Sequence, residues 1–360
     1  EKDGCLYGRG TDDDKGPAVA AIYAMACVAE QFPLKHNVRL ILGTDEESGS
    51  RDIRHYYALN KPAPNTFSPD ASFPVFNTEK GGLAARFSKT WPKQDSLPRV
   101  SALDGGYRIN VLPADAKATV LGLSETEVEK ICRPVVEQLG VRFSAVQNEA
   151  GVEITVKGIA AHASTPEQGI NGITALIRLL LALPLAEHPG LSALRSLAEL
   201  MPHGDSMGTA MGIAMEDEIS GPLTLAFSLL KMGEEGIEGS FDSRVPICAT
   251  EENCRLKAKS AFEKYGFRFD GSLRPPHHTP ADTPFIRSML QRYSSFTGRK
   301  GECLSMGGGT YVHDIPGGVA FGAAMPDFDS NLHGANERMK IDDMLTAIKI
   351  FAAVICDLCT

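Results

Sequence analysis

The chain has 360 residues, 43% of them hydrophobic and 22% charged, with a formal net charge of −9 at pH 7. That length exceeds one typical core and points to two domains, and the composition is that of an ordinary soluble globular protein rather than a collagenous, low-complexity or disordered one. An acidic balance without lysine- or arginine-rich runs excludes nucleic acid and an anionic membrane surface as partners, and no apolar run reaches the ~18 residues of a spanning helix.

Taken in order, a short strand-like segment from Cys5 to Tyr7 leads into the glycine-punctuated loop Gly8-Arg9-Gly10-Thr11-Asp12-Asp13-Asp14-Lys15-Gly16-Pro17. Pro17 suits a first helical turn, and the alanine-rich stretch 18–30 predicts a helix. Capping and dipole compensation explain one of the three aspartates. Three crowded like charges repel, however, and a cation would relieve them. The run 38–42 is apolar and β-favouring and predicts a buried strand, followed by Gly43-Thr44-Asp45-Glu46-Glu47-Ser48-Gly49 and a helix from 51 to 59. Glu46 and Glu47 are thereby expected just past a strand's C-terminal end, where open α/β sheets place their ligands. An isolated Glu-Glu pair is ordinarily a solvated turn; a second acidic loop upstream and Asp70 downstream change the weighing. Successive side chains diverge, so one glutamate can hold a metal while its neighbour reaches a water beside it. Asp70, in the proline-flanked stretch 66–74, becomes a third candidate ligand at the same sheet edge.

From about 83 to about 275 the character changes. Strand-like stretches at 83–88, 116–121, 151–156 and 223–229 interleave with helical ones at 124–138 and 172–183. This mixture predicts an α+β domain, 81–275, inserted into an α/β catalytic domain made of 1–80 and 276–360. Two turns within it carry Asn110 (in 107–113) and His162 (in 158–166). A lone histidine before a helix is usually a capping or surface group. Arg244 could clamp a carboxylate, with a surface ion pair as the ordinary alternative. Beyond the insert, 283–297 predicts a helix. Gly307-Gly308-Gly309-Thr310 lacks the following Gly-Lys-Ser/Thr of a nucleotide loop and suits backbone amides and the Thr310 hydroxyl meeting an anionic substrate end. A buried strand is expected at 318–322 and a closing helix at 341–356, with His333 between them in an acidic, strand-end setting. His277, His278 and His313 are assigned surface or structural roles. The eight cysteines are scattered through apolar segments, as expected of reduced thiols in a cytoplasmic protein.

Six of these motifs occur in order: Gly8-Arg9-Gly10-Thr11 with Asp13-Asp14-Lys15-Gly16, Thr44-Asp45-Glu46-Glu47-Ser48-Gly49, Pro69-Asp70-Ala71, Ala161-His162-Ala163-Ser164, Gly307-Gly308-Gly309-Thr310, and His333 with Asn336-Glu337. Together they resemble the two-metal peptidases that include carboxypeptidase G, aminoacylase and succinyl-diaminopimelate desuccinylase, and among them the bacterial PepV-type, carnosinase-like dipeptidases. The resemblance implies a mixed-sheet zinc-peptidase-like domain with helices on both faces plus the inserted lid. It further implies that Asp13 bridges two divalent ions (zinc, with manganese or cobalt as alternatives), with Asp14 following through an unusual peptide geometry. Glu47 and His333 would complete one metal site and Asp70 would serve the other. Glu46 would be the general base, His162 and Asn110 would stabilise the oxyanion, and Arg244 with Gly309 and Thr310 would hold the carboxylate of a dipeptide. The long insert resembles a doubled lid and implies a monomer.

The family's other metal ligand is a histidine in a His-x-Asp motif upstream of the Gly-Arg-Gly loop, and this chain starts at Glu1 without one. The expectation is therefore an incomplete Asp70 metal site, uncovered sheet edges and little activity for the chain as it stands. An N-acyl amino acid deacylase or desuccinylase, or a non-catalytic peptide-binding relative, are the alternatives to a dipeptidase.

Overall fold

The computed structural model describes all 360 residues, and they divide into two units: Glu1–Lys80 with His277–Thr360, and Gly81–Pro276. In the first, the strands His277–His278, Val75–Glu79, Gly318–Ala320 and Thr66–Ser68 lie side by side in that order, and Cys303–Met306 also pairs with Val75–Glu79. Two of the pairings are parallel and two antiparallel, which makes a mixed sheet.

Neighbouring residues on a strand point to opposite faces, and both faces here are covered. Val75 and Val319 pack with Ala20, Ala24 and Val28 of the helix Lys15–Gln31, Phe285, Ile286 and Met289 of Pro284–Thr297, and Ile350, Phe351 and Val354 of Ile341–Cys359. Their neighbours Phe76 and Ala320 pack on the other side with Ile53 and Tyr57 of Arg51–Leu59. The α/β arrangement with helices on both faces is thus present.

The second unit is built on an eight-stranded, wholly antiparallel sheet in the order Arg268–Arg274, Gly81–Thr90, Gly236–Val245, Thr224–Gly233, Arg99–Gly105, Asp115–Leu121, Gly151–Lys157, Arg142–Asn148. Gly81–Thr90 buries Leu83, Ala85 and Phe87 and exposes Ala84 and Arg86, the alternation of a half-buried strand. Its core takes Val128 and Cys132 from Glu125–Leu139, Leu176 and Leu180 from Gly172–Ala182, Leu194 and Leu197 from Pro189–Leu200, and Phe262 from Leu256–Lys264. Local chemistry sets the helix starts. Ser124 and Glu127 form a reciprocal capping box, and the Asn171 side chain accepts the N–H groups of Ile173 and Thr174.

One expected element is not there. Residues 38–42 are not a strand, and Leu42 is 64% exposed. A β-favouring run becomes a strand only where a neighbour completes its hydrogen bonds, and none of the sheet pairings includes this stretch. No helix is long and apolar enough to cross a membrane.

Candidate metal centre

Strand Cys5–Tyr7 pairs with Arg338–Lys340, which brings the loops leaving each strand together. Between them lies Glu337, 2% exposed. Its carboxylate accepts the N–H groups of Gly10 at 2.9 Å, Asp12 at 2.9 Å and Asp13 at 3.1 Å, and pairs with the Arg9 guanidinium at 2.6 Å. Burial alone would raise the pKa of Glu337, but these backbone donors and Arg9 outweigh it and hold the carboxyl below its usual range. The aspartate loop is therefore wrapped around one buried anion. The Asp13–Asp14 peptide is cis.

Opposite, Asn331, His333 and Asn336 all adopt left-handed backbone conformations, with His333 at φ 57°. This loop delivers His333 Nε2 to 2.8 Å from Asp13 Oδ2 and 3.0 Å from Glu47 Oε1. Glu47 belongs to the single helical turn Glu46–Ser48, which Gly49 ends at φ 113°. One ligand atom from each of Asp13, Glu47 and His333 lies within 4.8 Å of the others. Burial pulls the pKa of His333 down, yet Glu47 and Asp13 together prevail and raise it.

Two further acids crowd this cluster. Asp70, in the bend after Thr66–Ser68, has its pKa raised to about 9, first by burial and then by the charges of Asp14, Glu46, Asp13 and Glu47. Asp14 is raised to about 7 by burial and by Asp13, Asp12 and Glu46. Asp14 Oδ1 is buried with no hydrogen-bond donor. A carboxylate without a donor, inside a knot of acids that includes one imidazole, matches what divalent zinc, manganese or cobalt takes as ligands. The residues present fit a cation site.

The second unit places Asn110 and His162 on one small ribbon. Val111–Leu112 pairs with Ala161–His162, and the Ala163 N–H bonds the Asn110 carbonyl at 3.0 Å. The Ser164 N–H donates to His162 Nδ1 at 3.2 Å, with the Ser164 hydroxyl at 2.6 Å from the same nitrogen. A backbone N–H can only donate, so Nδ1 accepts and the ring proton sits on Nε2. Arg244 is ion-paired with the buried Asp242, at 2.8 Å from Nη2 and 3.2 Å from Nε. Its guanidinium is held in place by that partner rather than lying loose on the surface.

Thr310 corrects one expectation. It is buried, and both its N–H and its hydroxyl donate to Glu79 Oε1, at 3.1 and 2.9 Å. Its donors are thus engaged inside the protein, leaving Gly309 as the substrate-side candidate of that turn. Glu79, fully buried, also takes His313 Nδ1 at 2.9 Å, so His313 is an interior residue rather than a surface one. Neither Glu79 nor Glu337 stands out in the sequence as an organiser. A carboxylate that gathers backbone N–H groups looks like any other glutamate, and only Glu337's closeness to His333 hinted at a role.

A mixed α/β unit whose loops bring Asp13, Glu47 and His333 together, with the buried acids Asp14 and Asp70 among the charges around them, carries the donor set of a metallopeptidase. The model for Peptidase family M20/M25/M40 matches residues 1–357, and the chain belongs to that family. It is 32% identical to the putative dipeptidase YtjP of Bacillus subtilis over 361 residues, covering 99% of this chain and 77% of the relative. It is 31% identical to the Beta-Ala-Xaa dipeptidase of Lactobacillus delbrueckii subsp. lactis over 366 residues, 99% of this chain and 76% of that protein. Among solved structures, a tripeptidase from Staphylococcus aureus aligns with a TM-score of 0.54 at 14% identity, covering 99% of this chain and 74% of that one, a likeness of fold.

Proposed function

We propose that the chain is a metal-dependent dipeptidase of the PepV type, in which Asp13, Glu47 and His333 would hold one divalent ion and Asp13 with Asp70 would contribute to a second, incomplete site. The carrying observation is the convergence of Asp13, Glu47 and His333 within 4.8 Å beside Asp14 and Asp70, acids whose pKa values are raised by burial and by the neighbouring carboxylates. The dipeptidase names of the curated relatives support the substrate class. Divalent ions at such a site supply Lewis acidity that brings a water's pKa down to roughly 7.

Glu46, next in sequence to the ligand Glu47, takes the proton from the attacking water and returns it to the leaving amine. His162, with its proton on Nε2, and Asn110 donate to the developing oxyanion. Arg244, kept oriented by Asp242, offers a forked donor for a substrate carboxylate, which favours very short peptides. The eight free thiols agree with a cytoplasmic location, and the protein is proposed to act as a monomer.

A panel of dipeptides, including β-Ala-His, and N-acyl amino acids run with added zinc or manganese tests this reading. Release of free amino acids from dipeptides, weak in keeping with the incomplete ligand set expected around Asp70 and abolished by Glu46→Ala, is expected. Cleavage of the acyl compounds alone would reassign the protein as a deacylase, and binding without turnover would make it a peptide-binding relative.

A further inference from the structure

Glu46 and Glu47 sit on a turn that forms no ladder bonds, so side chains from elsewhere must fix where they point. Asp52, in the first turn of Arg51–Leu59, supplies one anchor: its Oδ2 accepts the N–H of Thr44 at 2.7 Å and of Asp45 at 3.1 Å. The same oxygen accepts the hydroxyl of Tyr311 at 2.8 Å, and the phenolic oxygen in turn accepts the Asp45 N–H at 3.1 Å. Tyr311 directly follows Thr310, whose N–H and hydroxyl are fastened to the buried Glu79. Two sets of hydrogen bonds, joined by the Thr310–Tyr311 peptide, thus link Glu79 to the backbone just before Glu46.

Gly43 bears on the point independently. A Cβ added there would come 2.1 Å from the Tyr311 hydroxyl oxygen and 2.7 Å from Asp52 Oδ2. The phenol therefore occupies the space that any other residue at position 43 would fill, and the loop is shaped to receive it.

We propose that Tyr311 is a positioning residue, which ties the glycine turn 307–310 to the Glu46-Glu47 turn and sets the direction of both glutamates through one phenolic hydroxyl. The proposal rests on the roles given above to Glu46 and Glu47. Its packing ring contacts the small cluster of Ile53, Val312, Ile315 and Ala320, so Tyr311→Phe keeps the ring and removes only the tether.

The test compares wild type, Tyr311→Phe and Gly43→Ala in the full chain. Amide hydrogen exchange at Thr44 and Asp45, measured without metal, is expected to speed up in both variants. Zinc affinity by titration calorimetry and kcat on a dipeptide are each expected to fall roughly 10–100-fold, the usual size of losing a partner that orients a metal ligand. KM is expected to stay within about twofold, because the interaction lost is not one made to substrate. The double variant is expected to be little worse than either single one, since both remove the same contact. Unchanged exchange and unchanged zinc affinity in Tyr311→Phe overturn the proposal. A rise in KM alone also overturns it, by making Tyr311 a substrate contact. Should Tyr311→Phe fail to fold, Gly43→Ala decides by the same readouts. If wild type neither binds zinc nor cleaves dipeptides, the functional reading fails, and exchange at Thr44 and Asp45 still judges the tether.

Discussion

Replacing Glu337 by alanine removes the anion around which the aspartate loop is folded. The Glu337 side chain is 1% exposed, whereas that of Arg9 is 59% exposed, so the guanidinium regains water when its partner goes. The three amides fare differently. Gly10 N–H lies in buried surroundings and Asp12 and Asp13 N–H in partly buried ones. Each buried donor left unpaired costs ~1–3 kcal/mol, and the two partly buried ones recover some hydration, which sums to about 3–5 kcal/mol of stability. Asp13 also loses the backbone bond that aims it at His333, and zinc affinity should drop roughly 10–100-fold. Urea unfolding of the metal-free protein and calorimetric titration with zinc read the two effects separately. Glu337→Gln, which keeps one acceptor oxygen, should fall between. A stability loss under ~1 kcal/mol, smaller than one unsatisfied buried donor, together with unaltered affinity refutes the reasoning.

Two other predictions concern protons. Burial pushes the pKa of Asp217 up, but the N–H groups of Ser220, Cys248 and Ile219 and the Ser220 hydroxyl overcome it and hold it at about 2. A folded pKa below the unfolded value of ~3.9 stabilises above that unfolded value and is lost as pH falls towards 2; about 2 kcal/mol should disappear between pH 5 and pH 2 in wild type, and this slope should be absent in Asp217→Asn. At the acidic cluster, Asp70, near 9, carries a proton at pH 7.5 that a cation must displace, whereas Asp14, near 7, is already mostly ionised there. Zinc binding should therefore release roughly one proton, seen as calorimetric heats that change with the ionisation enthalpy of the buffer. Heats independent of the buffer would show that these acids do not take part.

Much of the fold was legible because it follows from local patterns. Helix 51–59 begins and ends where the sequence predicted, and Ser124 and Thr283, at the predicted starts of their helices, turn out to be caps. The strands at 83–88 and 116–121 were visible through their alternation, and the structure lengthens them by pairing to Gly81–Thr90 and Asp115–Leu121. What failed depends on partners distant in the chain. The run 38–42 has strand composition without a strand beside it, and the helix Leu256–Lys264, whose apolar positions are few, went unrecognised. At the site, Asp13, Glu47, Asp70 and His333 could be proposed because their residue types carry the chemistry. Glu79, Glu337 and Tyr311 could not, since their function lies in which distant backbone groups and side chains they touch. Thr310 was given a substrate contact on the strength of its glycine neighbours, and the buried Glu79, 231 residues away, takes its donors instead.

The most direct test is anomalous diffraction from zinc-soaked crystals of this chain. The account predicts a strong zinc peak about 2.0–2.3 Å from the donor atoms of Asp13, Glu47 and His333. Zinc bound only elsewhere on the protein, with these three side chains left as they are, would contradict it.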